Sequence, residues 1–236
     1  MTIKKSDLMH PCWGRIIVTR NPRARRIIMR ALPDAIHVTT PPYATKADIE
    51  HALDQCGEEL LRRQKENSRA TIGKDYSIDT PNFRIRIIED NCTGIKITGC
   101  NGTYTICSPQ GTDYSNENIQ QKLRQGIKAA MKHCAATLLP VRLEALAQKH
   151  GFKYSNCTVR DARSRWGSCS SRRSISLNIH LVVLPDRLID YVLLHELCHT
   201  VEMNHSEKFW ALMDRCTAPA RSRTLRAELK KEKFLV

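Results

Sequence analysis

The sequence predicts an α+β protein: a β-rich N-terminal region over residues 1–115, followed by an α/β domain over residues 116–236. Three observations predict it. Short β-like runs separated by turn residues fill the first half, the apolar period shifts to three or four near Asn116, and a later apolar helix carries two histidines four residues apart.

Residues 15–19, 26–30, 35–40, 83–88, 95–98 and 103–107 are the β-like runs, with Asn21-Pro22 and Asn101-Gly102 among the turns. Residues 44–69 read as a helix, because Ile49, Leu53, Cys56 and Leu60 fall on one stripe. From Asn116 onward, Ile119, Leu123, Ile127, Met131, Cys134 and Leu138 define a second helix, which Pro140 is expected to end or kink. Ile175, Leu177, Ile179 and Leu181 alternate with Ser176, Asn178 and His180 as in a half-buried strand. Asp186 then stands where an N-cap would be, and Leu188, Ile189, Val192, Leu193 and Leu197 form the buried side of a helix reaching about Val201. Ser206 is placed to cap a further helix with Phe209, Leu212 and Met213, and the basic stretch from Arg221 reads as a surface helix or a frayed end.

The 236 residues include 38 Lys plus Arg against 24 Asp plus Glu, a net charge of +14. With 41% apolar residues and only 10 Gly and 10 Pro, collagen-like and wholly disordered chains are excluded. No apolar run is long enough to span a bilayer, and the start, MTIKKSDLMHPCWGR, lacks the apolar core of a signal peptide, so no membrane association and a cytoplasmic location are expected. Ten cysteines without any Cys-x-x-Cys pair point to buried free thiols rather than a disulfide framework or a zinc ribbon. The positive surplus favours acidic partners such as nucleotides or nucleic acid, and it is densest at Arg160, Arg163, Arg165, Arg172 and Arg173.

The informative segment is LHELCHTVEMNHSEKFW, residues 194–210. On a helix His195 and His199 project from one face and can fill two corners of a zinc tetrahedron, with Glu196 about 100° round, close to the metal without ligating it. His205 follows far enough on to return a third imidazole. Three nitrogens and one open position is the layout of a catalytic zinc site. The same spacing marks metzincins, but Glu202 stands at their turn glycine and no Met-turn follows.

The segment resembles the YgjP-like branch of zinc metallopeptidases, related more distantly to SprT-like and WLM proteins. The match takes in Leu139-Pro140-Val141-Arg142, Val159-Arg160-Asp161, the run from Ser164 to Ser170, Ile175-Ser176-Leu177-Asn178, Asp190-Tyr191-Val192, His195-Glu196-Leu197-Cys198-His199 and Asn204-His205-Ser206 through Phe209-Trp210. The resemblance implies a minimal zincin-like catalytic domain, with His195, His199 and His205 as zinc ligands and Glu196 as general base.

The expected function is a zinc metallopeptidase acting on polypeptides through zinc-activated water, with Glu196 moving the proton. Arg165 and Asn178 are candidate substrate contacts, Trp166 is read as packing under the active-site helix, and the strand over residues 175–180 is read as an edge for an extended peptide. Two alternatives keep the metal: a nucleoside triphosphate pyrophosphatase whose arginine cluster cradles phosphates, and a nucleic-acid-associated protease drawn to its target by the basic surface.

Overall fold

The computed structural model describes residues 4–32, 35–66, 71–162 and 164–235. The chain divides into two compact units, Met1–Ala70 and Thr71–Val236, so the expected boundary at 115/116 lies inside the second unit, where strands give way to helix.

In the first unit β1 (Lys4–His10), β2 (Gly14–Arg20), β3 (Ile28–Ala31) and β4 (Ile36–Thr40) form a sheet of order β1-β2-β4-β3. Helix α1 (Lys46–Glu66) covers it, setting Ile49, Leu53 and Leu60 against Ile16, Val18, Ile36 and Val38. β1 escapes the sequence reading because its polar run KKSDLMH has no buried alternation to mark it.

The second unit begins with β5 (Ser77–Asp79), β6 (Arg84–Asp90), β7 (Lys96–Cys100) and β8 (Thr103–Pro109), in the order β5-β6-β8-β7. Asn101 and Gly102, with φ of 50° and 79°, make the tight β7–β8 turn that needs left-handed backbone at both positions. Helix α2 (Glu117–His150) starts at Asn116, whose side chain accepts from the Asn118 and Ile119 N–H groups, and stops at Gly151 in the left-handed region. It runs through Pro140 instead of ending there. Leu139, Leu143 and Ala147 carry the buried stripe past the proline, and this packing outweighs the missing backbone bond.

α2 is shared by two sheets. On one side Gln120 bridges the Ile72 N–H and carbonyl, and the Tyr104 hydroxyl meets His133 Nδ1 at 2.8 Å. On the other it packs on the sheet of β9 (Asn156–Arg160), β10 (Gly167–Cys169) and β11 (Ser174–Asn178), ordered β10-β11-β9. β11 is therefore the central strand and β10 an edge, which corrects the expectation of an edge at residues 175–180. The strand also stops earlier than expected: Asn178 caps a 3₁₀ turn over Ile179–Val183, its Oδ1 accepting from the His180 N–H.

Three helices complete the unit, α3 (Asp186–Cys198), α4 (Glu207–Thr217) and α5 (Ser222–Leu229). Pro185 takes the N-cap position expected of Asp186, while the Asp186 carboxylate accepts from Arg142 Nη1 at 2.5 Å and Asn82 Nδ2 at 2.7 Å. Arg142 Nε also donates to Asp190 at 2.6 Å, which ties α2 to the start of α3. Ser206 precedes α4 without a side-chain capping bond. All ten cysteines are free thiols, but only Cys134 and Cys198 are buried. Among the described residues no helix is long and apolar enough to cross a membrane.

Candidate active site

Burial of Leu188, Ile189, Val192, Leu193 and Leu197 fixes the rotation of α3, and this turns His195 and His199 toward α4. His205 arrives from the loop between α3 and α4. Phe209, fully buried on α4, backs all three imidazoles with ring centroids 4.9, 4.5 and 4.8 Å away.

The three rings converge through the same atom. His195 Nε2 lies 3.2 Å from His199 Nε2 and 3.1 Å from His205 Nε2. Two nitrogens bound to one tetrahedral ion at about 2.0–2.1 Å stand roughly 3.3–3.4 Å apart, so the spacing suits a single small cation. Among the described residues these three form a group able to hold a metal. His199 Nδ1 lies 3.0 Å from the Glu202 carbonyl. A carbonyl only accepts, so the hydrogen sits on Nδ1 and the Nε2 lone pair is free for a metal. Burial, with His199 and His205 alongside, drives the His195 pKa down to about 3, and burial also lowers that of His205. Both stay neutral near pH 7, as ligation requires.

Glu196 is 5% exposed, and its Oε2 is buried without a hydrogen-bond partner among the described residues. Burial pushes its pKa up to about 8. Edge strand β10 runs beside it, and a β-carbon on Gly167 would stand 2.7 Å from Glu196 Oε1. His195, Glu196 and His205 open on a cleft of about 290 Å³ whose walls are Trp166 and Gly167, Tyr191 and Val192 of α3, and Arg226, Leu229 and Lys230 at the end of α5.

The other expected site residues lie elsewhere. Asn178 is 1% exposed; its amide donates to the Ala162 and Arg165 carbonyls at 2.8 and 2.6 Å. With both amide hydrogens engaged and Oδ1 accepting from the His180 N–H, Asn178 holds the loop before β10 and is not among the residues lining the cleft. Arg165 is exposed and outside the cleft lining, as are Arg160, Arg172 and Arg173, while Arg163 lies outside the described residues. The four described arginines of the cluster therefore do not line this cleft. Trp166, half-buried, packs against the core as expected and also lines the cleft, its ring meeting Phe234 at a tilt of 37° with centroids 4.4 Å apart. Cys198 is buried, as a small apolar filler would be. The stretch from Arg221 is a helix, the first of the two expected forms; what the sequence reading missed is that Arg226 and Leu229 of α5, with Lys230 just after it, line the cleft while Leu225 is buried.

A family model described as YgjP-like, metallopeptidase domain, matches residues 25–232. Among solved structures, the chain is similar to the metallopeptidase zymogen of Pyrococcus abyssi abylysin at 22% identity, covering 42% of this chain and 100% of that one with a TM-score of 0.36. It is also similar to the metallopeptidase zymogen of Methanocaldococcus jannaschii jannalysin at 18% identity, covering 39% and 94%, again with a TM-score of 0.36. Comparison with curated proteins gives no match.

Proposed function

Since the chain belongs to the YgjP-like metallopeptidase family, we propose that it hydrolyses peptide bonds with zinc held by His195, His199 and His205 and with Glu196 as general base. The observation that carries this reading is the convergence of three imidazole Nε2 atoms beside a buried carboxylate at the wall of a cleft. Three imidazole nitrogens with a remaining open position suit zinc better than the hard cations, which prefer oxygen. When bound, zinc supplies Lewis-acid polarisation of the scissile carbonyl and activation of water.

The protein's own groups do the rest. Glu196 accepts the proton of the attacking water and returns it to the departing amine. Its buried setting favours the protonated form, and a cation alongside lowers the pKa again, so its proton affinity is poised near the working pH. The β10–β11 ladder, in which Trp166 accepts from the Asn178 N–H and Ser170 donates to Ser174, directs the N–H and carbonyl groups of Gly167 and Cys169 toward the open edge. An extended peptide can add there as a further strand, bound by its backbone.

The test is zinc content together with cleavage of unfolded polypeptides by wild type and Glu196→Gln. About one zinc per chain in both, with cleavage reduced roughly 10²- to 10⁴-fold by the substitution, is expected. A fully active Glu196→Gln protein overturns the mechanism.

A further inference from the structure

We propose that Arg226, supported by Lys230, binds a carboxylate of the substrate peptide inside the cleft. The proposal takes the peptide as the carrier of that carboxylate from the reading above. Both residues line the cleft that holds His195, Glu196 and His205. The Arg226 guanidinium lies over the Trp210 ring, 5.1 Å from its centroid, which fixes one face of the group and leaves its edge for a planar oxyanion.

The helix that presents them is anchored. Asp214 of α4 accepts from the N–H and hydroxyl of Ser222 at 2.9 and 2.6 Å, Leu225 is buried in the core, and Glu228 pairs with Arg187 of α3 at 2.8 Å. These contacts also engage two acids, Asp214 and Glu228, with groups other than Arg226. Asp214 is taken by the start of α5 and Glu228 by Arg187, and among the described residues lining the cleft the only acid is Glu196. Among the described residues neither Arg226 nor Lys230 has an ion pair. Two cations facing one cleft repel until an anion enters. A carboxylate accepting from a guanidinium makes a charge-assisted, bidentate pair, and Trp210 behind the exposed Arg226 holds that fork in one orientation.

The carboxylate has two possible sources, an acidic side chain or the peptide's free C-terminus. Anisotropy of fluorescein-labelled short peptides on the zinc-treated, full-length Glu196→Gln protein separates them, using Glu against Gln at one central position and a free against an amidated C-terminus. Carboxylate-bearing peptides should bind about tenfold more tightly than the neutral, amidated one. The advantage should vanish in Arg226→Gln and shrink without vanishing in Arg226→Lys, which keeps the charge but loses the fork. A gain confined to the Glu peptides assigns the side chain, and one confined to the free acids assigns the C-terminus. Equal binding of all the peptides, no binding at all, or an undiminished advantage in Arg226→Gln overturns the proposal. Because binding is read without turnover, carboxylate-selective binding by a protein whose wild type cleaves no peptide leaves this site standing and overturns only the peptidase reading.

Discussion

Gly167 and Glu196 approach so closely that a β-carbon on the glycine would stand 2.7 Å from Oε1, 2.8 Å from Cγ and 3.0 Å from Cδ of the glutamate. The edge strand thus reaches the carboxylate only because position 167 has no side chain. Gly167→Ala is expected to push the Glu196 carboxylate aside while leaving the three imidazoles in place. A displacement on that scale costs on the order of 10²-fold in kcat. Steady-state kinetics with parallel zinc analysis checks it: unchanged kcat would mean the contact is unimportant, and lost zinc would mean the change spreads beyond Glu196.

His205 is the exposed member of the histidine trio and comes from a loop, whereas His195 and His199 belong to α3 and its last turn. Its removal leaves two nitrogens on one helix face. His205→Ala should weaken zinc binding by at least about a hundredfold while preserving the fold. Competition against a chromophoric chelator measures the affinity, and circular dichroism checks the fold.

The buried carboxylate also predicts a pH dependence for protein stripped of metal. The Glu196 pKa is raised by burial from an ordinary 4.5 to about 8. Its contribution to stability is then complete below about pH 4.5 and is lost as pH rises through about 8. Chelated wild type should lose stability relative to chelated Glu196→Gln across that window, by roughly a few kcal/mol. Parallel denaturant titrations across the window give the difference, and a difference that does not change with pH would refute the assignment.

Asn178 acts on the cleft through the loop it ties down. Asn178→Ala leaves the Ala162 and Arg165 carbonyls without their donors, at an expected cost of about 1–3 kcal/mol. Because the same loop delivers Trp166 and Gly167, kcat should fall beyond what the stability loss explains. Faster amide exchange confined to the segment around residues 164–169 would identify the cause. Uniform exchange behaviour with normal kcat would count against a positioning role.

The histidines were legible because helix geometry is periodic: a spacing of four fixes two side chains on one face whatever surrounds the helix. The termination of β11 was not, since alternation through Leu181 is equally compatible with a strand and with a buried 3₁₀ turn, and the choice rests on an Asn178 side-chain bond. The edge position of β10 depends on long-range pairing, and the short run Gly167–Cys169 has no apolar alternation to reveal it. Pro140 does not end α2, for a different reason. Its local cost is real, but burial of Leu139 and Leu143 on either side offsets it.

The length of α2 has a practical consequence. At 34 residues it extends about 50 Å, and one continuous core joins its Leu123, Ile127 and Met131 to Phe83, Ile85 and Ile106 of the strands before it. A protein truncated to begin at residue 116 would expose that apolar stripe to water and is expected to aggregate, whereas one beginning at Thr71 retains the partner sheet. Strands β5–β8 thus set the solubility of the half that carries the histidines, although among the described residues none of theirs lines the cleft.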